Sequence, residues 1–130
     1  MKPIILVIED DLPLCWLIDR ILSHDFDVTI KRESVSAMEW LTEGNIPDLI
    51  LCDFVLPKIN GLDFLRNLRK SGAFKNVPVI ICTCHLDEEL KERCLNAGAN
   101  AFLMKPFDPT DLVETISSVI ETKTLTSDEG

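Results

Sequence analysis

The sequence predicts a doubly wound α/β domain, a five-stranded parallel sheet with helices on both faces. Three observations predict it. Short apolar runs alternate with helix-period segments five times along the 130 residues. The connections between them are short, as right-handed crossovers between parallel strands allow. The apolar runs also end on polar or charged residues, where open α/β sheets place their ligand sites. The clearest instance is residues 48–61, Asp-Leu-Ile-Leu-Cys-Asp-Phe-Val-Leu-Pro-Lys-Ile-Asn-Gly. Residues 49–52 form an unbroken apolar run, short enough for a strand buried on both faces. The run stops at Asp53, and Pro57 and Gly61 mark a loop after it. Alone, Asp53 is as readily a strand cap as a site.

The other elements follow in order. Residues 3–8 are a second buried strand, ending in Glu9, Asp10 and Asp11. Asp11 caps the first helix, Pro13 is tolerated in its first turn, and Leu14, Leu17, Ile18, Ile21 and Leu22 share a face. Residues 27–31 are a weaker strand with Val28 and Ile30 alternating. Ser34 is expected to cap a helix carrying Met38 and Leu41 inward and ending at Gly44. Gly61 opens a third helix with Leu62, Leu65 and Leu68 inward. Residues 78–82 form the next buried strand, ending at Thr83. The helix over 87–97 turns Leu90, Cys94 and Ala97 inward, and Gly98 ends it. Residues 101–104 make the fifth strand, followed by Lys105-Pro106. Residues 109–121 form the last helix, with Leu112, Ile116, Val119 and Ile120 on one face. One domain is expected over residues 1–121, with 122–130 a polar, disordered tail.

Composition narrows the function. Net charge is −9, with no basic stripe, which argues against binding nucleic acid through phosphate contacts. No apolar run is long enough to span a bilayer and no signal-peptide pattern is present, so the expectation is a cytoplasmic protein with no membrane contact. Five cysteines, Cys15, Cys52, Cys82, Cys84 and Cys94, lack paired ligand spacing and read as reduced packing residues.

In the predicted sheet all strand carboxyl ends lie on one side, which collects Glu9, Asp10, Asp53, Thr83 and Lys105. Two carboxylates about 4 Å apart repel by roughly 4 kcal/mol at an effective dielectric near 20, and one lysine offsets only part of that. A hard divalent cation relieves the rest, and an incomplete carboxylate shell suits Mg²⁺. Each residue has an ordinary reading: helix cap, turn hydroxyl, solvated surface charge. Their coincidence at one sheet edge favours a site.

On these motifs the chain resembles the receiver domains of two-component response regulators, in size the single-domain chemotaxis regulator. The residues that carry the resemblance are Ile8-Glu9-Asp10-Asp11, Asp53-Phe54-Val55-Leu56-Pro57 with Gly61, Cys82-Thr83, and Lys105-Pro106-Phe107. It implies a phosphoacceptor signalling domain rather than an enzyme, with Asp53 as acceptor. Glu9, Asp10, Asp53 and the backbone carbonyl of Val55 would hold Mg²⁺. Thr83 and Lys105 would contact phosphoryl oxygens, and Thr83 and Phe102 would form the switch. A cis Lys105–Pro106 peptide is implied too. The implied partners are a histidine kinase or histidine phosphotransfer protein and an unidentified downstream protein. Val55 stands where the family often has a polar residue, and Cys84 where it has a small one.

The chief rival is a phosphohydrolase with an aspartate nucleophile on a similar sheet. It needs a second acid two places after the nucleophile, and that position is Val55. A flavin- or nucleotide-binding domain needs a glycine-rich loop after the first strand, where Glu9, Asp10 and Asp11 would repel phosphate.

Overall fold

The computed structural model describes residues 1–85 and 87–129, and for 123–129 the backbone alone. Strands and helices alternate: β1 (Ile4–Ile8), α1 (Leu12–Leu22), β2 (Asp27–Lys31), α2 (Ser34–Thr42), β3 (Leu49–Asp53), α3 (Gly61–Lys70), β4 (Val79–Thr83), α4 (Glu88–Asn96), β5 (Ala101–Met104) and α5 (Pro109–Glu129). The strands form one parallel sheet in the order β2-β1-β3-β4-β5. The order reverses at β1: the chain moves outward to β2, then returns past β1 to lay down β3. The helices after β1 and β3 leave to opposite faces, so a crevice opens between the carboxyl ends of those two strands.

Successive strand residues point to opposite faces, so β1, β3 and β4 divide their apolar side chains between two cores. Leu6, Ile8, Ile50, Cys52, Val79 and Ile81 meet Leu41, Leu65 and Cys94 of α2, α3 and α4. Ile5, Val7, Leu49, Leu51, Ile80 and Cys82 meet Ile18, Leu22, Leu112 and Ile116 of α1 and α5. Every residue of β3 and β4 is buried, as the unbroken apolar runs predict. Four cysteines lie in the interior, and Cys84 is exposed. No helix among the described residues is long and apolar enough to cross a membrane.

Besides Cys84, which is exposed where a packing residue is expected, three local expectations differ from what forms. On α1 the buried stripe is Cys15, Ile18 and Leu22, and Leu17 is largely exposed. Cys15 takes the inward position because its thiol donates to the Glu9 carbonyl at 3.1 Å. Ser34 does not cap α2. Glu33 holds the cap position without a side-chain bond, while the buried Ser34 hydroxyl donates to the Ile59 carbonyl at 2.8 Å. The third difference is the tail: α5 continues through 122–129, where disorder was expected. A helix already anchored by Leu112 and Ile116 gains one hydrogen bond for each residue added, and no proline or glycine interrupts it before Gly130. Gly130 itself lies outside the described residues.

Burial separates isoleucines that composition cannot distinguish. Ile50→Ala is expected to cost about 2–5 kcal/mol, because Ile50 is fully enclosed in the central strand. Ile46→Ala, at a residue 61% exposed, should stay within about 0.5 kcal/mol. Urea denaturation of both variants checks the contrast.

Candidate functional site

The site is built where hydrogen bonding continues one step beyond the strands. The Glu9 N–H donates to the Lys31 carbonyl at 3.0 Å, Phe54 N–H to the Cys82 carbonyl at 2.8 Å, and Lys105 N–H to the Thr83 carbonyl at 2.8 Å. Residues just past the strand ends are thus held as firmly as the strands. Asp11 caps α1 through Leu14 N–H at 2.9 Å, which fixes the turn that carries Glu9 and Asp10.

This edge brings together Glu9, Asp10, Asp53 and Lys105. The Lys105 Nζ donates to Glu9 Oε1 and lies 3.2 Å from Asp53 Oδ1. The three side chains are closed in: Lys105 is 16% exposed, Glu9 4% and Asp53 8%. Glu9, Asp10 and Asp53 each offer a carboxylate oxygen within 4.8 Å of the others. Asp10 is the solvent-facing member.

Burial pushes the Asp53 carboxyl above its ordinary range. Lys105 opposes that shift, Asp10 adds to it, and a hydrogen bond from the Val55 backbone opposes it. Glu9 is raised for the same leading reason, with the Lys105 hydrogen bond working against burial and Asp53 with it. Burial alone would lower Lys105, but the hydrogen bond it donates to Glu9 and the two carboxylate charges hold its ammonium above the ordinary range. Even with the lysine in place, these acids sit in an environment that disfavours their charge.

Of the other predicted residues, Thr83 and Val55 lie at or just past the same strand ends, whereas Phe102 lies within β5, away from the acids. Thr83 ends β4, is buried, and its Oγ1 accepts from the His85 N–H at 3.3 Å. Phe102 pairs with Ile81 across the sheet and packs, partly buried, on the core beneath α4. Val55 is exposed beside Asp53, and the Lys105–Pro106 peptide is cis. The donor set fits a hard cation: three carboxylates, with no thiol or imidazole among them.

Two features escaped the sequence reading. Gly61 is more than a helix opener: a Cβ there would lie 2.6 Å from the Asp53 carbonyl oxygen and 2.9 Å from Phe54 Cα. Only glycine lets α3 start this close to the end of β3. Arg32 follows β2 at the same edge and donates to the Asp10 carbonyl at 3.0 Å. The strand-end rule that collected the other residues collects Arg32 as well, but the weaker apolar pattern of β2 concealed it.

The residue set, its geometry and the strand order define a phosphoacceptor signalling domain of the two-component type. The response regulator receiver domain model matches residues 5–117, and the chain belongs to that family. It is 34% identical over 117 residues to the phosphate regulon transcriptional regulatory protein PhoB of Escherichia coli (strain K12), covering 89% of this chain and 51% of PhoB. It is 30% identical over 135 residues to response regulator Rre1 of Synechocystis, covering 99% of this chain and 57% of that protein. The chain therefore spans about half the length of these curated relatives. Among solved structures it is similar to the receiver domain of a sensor histidine kinase from Pseudomonas aeruginosa PAO1, with a magnesium ion coordinated in its active site cleft. That match has a TM-score of 0.83 at 30% identity and covers 93% of this chain and 99% of that one. Chemotaxis protein CheY4 of Vibrio cholerae shares the fold, with a TM-score of 0.85 at 22% identity over 92% of this chain and 99% of that one. Receiver domains bind Mg²⁺ at such an acidic site and interact with histidine kinases and phosphotransfer proteins. Nothing in these relationships supports the phosphohydrolase alternative.

Gly61→Ala should destabilise the fold by about 1–3 kcal/mol, since backbone atoms would have to give way. Gly72→Ala, with nothing within 4 Å of the added methyl, is the control. Denaturation midpoints of the two variants measure the difference.

Proposed function

We propose that Asp53 is the phosphoacceptor of this domain, fed by a histidine kinase or histidine phosphotransfer protein. The observation that carries this reading is the position of Asp53: at the β1–β3 crevice, 3.2 Å from Lys105 and within the acidic cluster of Glu9 and Asp10. A carboxylate oxygen of Asp53 attacks the phosphorus. A P–O bond forms as the P–N bond to the donor imidazole breaks, and the electron pair returns to the ring nitrogen. Glu9, Asp10, Asp53 and the Val55 carbonyl would hold Mg²⁺, which when bound neutralises charge on the transferring group. Lys105 is already pointed at Asp53 and takes one phosphoryl oxygen, and the Thr83 hydroxyl takes another.

The product places a dianion where a monoanion stood. Drawing Thr83 inward leaves room for Phe102 to turn toward the core, which biases the surface formed by α4, β5 and α5. A downstream protein reads that surface. The packed part of the domain spans residues 1–121, with α5 running on past it, and it works in the cytoplasm as a signalling module rather than an enzyme. Its charge of −9 supports output through protein contacts, with neither nucleic acid nor membrane bound directly.

Incubation with acetyl phosphate and Mg²⁺ should add one phosphoryl group to the wild-type chain and none to Asp53→Asn, read by intact mass. An equal adduct on the Asn variant would overturn the assignment of Asp53.

A further inference from the structure

The turn from β2 into α2 touches both loops that carry the site's acids. The Lys31 carbonyl accepts from Glu9 N–H at 3.0 Å. Arg32 Nη2 donates to the Asp10 carbonyl at 3.0 Å. Glu33 faces Lys58 Nζ at 3.9 Å, and buried Ser34 donates to the Ile59 carbonyl at 2.8 Å. Lys58 and Ile59 lie between Asp53 and α3, and Lys58 has a φ of 67°, in the left-handed region that favours glycine. A lysine held there depends on the contacts of its loop. Consecutive residues 31–34 therefore join the acid segment to the acceptor loop.

We propose that this turn is a brace setting the spacing of the Mg²⁺-binding acids, with Arg32 the positioning residue for Asp10. The inference rests on the function proposed above. Asp10 is the exposed acid of the three, so its placement depends on its backbone. That backbone is fixed on each side: Arg32 takes the Asp10 carbonyl, the Cys15 thiol donates to the Glu9 carbonyl at 3.1 Å, and Asp11 N–H donates to Glu9 Oε2 at 3.2 Å. Arg32 also brings a positive charge to the rim of a cation site. Its charge alone opposes Mg²⁺ binding, whereas its hydrogen bond favours it. The two roles predict opposite signs when Arg32 is removed.

Mg²⁺ titration of the full chain by calorimetry separates them. Arg32→Ala should weaken Mg²⁺ binding roughly tenfold, the lower end for outer partners of metal ligands. Arg32→Lys keeps the charge and an N–H able to reach a carbonyl, and should restore most of the affinity. Because Arg32 is exposed, metal-free melting should move little. Hydrogen exchange in metal-free protein should quicken at the Asp11 amide in Arg32→Ala and not in Arg32→Lys. Unchanged or tighter Mg²⁺ binding by Arg32→Ala overturns the brace while leaving the proposed function intact. Wild-type protein that bound no Mg²⁺ would overturn both.

Discussion

The structure turns on one lysine placed between two buried acids. Lys105 reaches from the end of β5 past β4 and β3 to Glu9 beyond β1, and passes Asp53 on the way. Parallel strands make this possible, since all five end at the same edge and short turns deliver their next residues there. The ammonium partly neutralises the carboxylates, yet Glu9 and Asp53 both remain shifted toward their protonated forms by burial. A fold built only for stability would place apolar residues here. Retaining three acids around one lysine keeps a deficit of positive charge that a bound cation would correct.

The remainder of the molecule reads as support for that edge. Two cores of strand residues sandwiched by α2, α3 and α4 on one face and α1 and α5 on the other keep the sheet rigid. Gly61 lets α3 pack tight against the end of β3, and the caps at Asp11, Asn60 and Asp87 start helices close to the site side. Phe102 lies on the core beneath α4, two strands from Asp53, so a change in its packing alters a surface rather than the acids.

Much of this was legible in the sequence because the determining signals are local. Apolar runs such as 49–52 and 79–82 are buried at every position, and the residues that interrupt them are the ones gathered at the edge. What escaped depends on three-dimensional approach. Ser34 carries a helix-cap residue type, but burial turned its hydroxyl to the Ile59 carbonyl of another loop. Leu17 fits an apolar stripe on α1, yet the stripe that meets the sheet passes through Cys15. The extent of α5 could not be read from polar residues whose helicity follows from a helix already anchored upstream. Arg32 and the tight seat of Gly61 are visible only once the loops are placed together.

Burial holds Asp53 against its own charge, and a cation bound beside it would relieve that cost. Its folded-state pKa is raised above the ordinary 3.8, so the stability it contributes belongs to the protonated form and is lost as pH rises through the window above that value. At neutral pH the ionised group therefore strains the metal-free fold. Thermal melting of wild type and Asp53→Asn at pH 7, without and with excess Mg²⁺, tests this most directly. The Asn variant should melt higher without metal, and Mg²⁺ should raise the wild type by more, narrowing or reversing the gap. An Asn variant that melts lower without metal would show the Lys105 pairing to be a net stabilising interaction, and would contradict it.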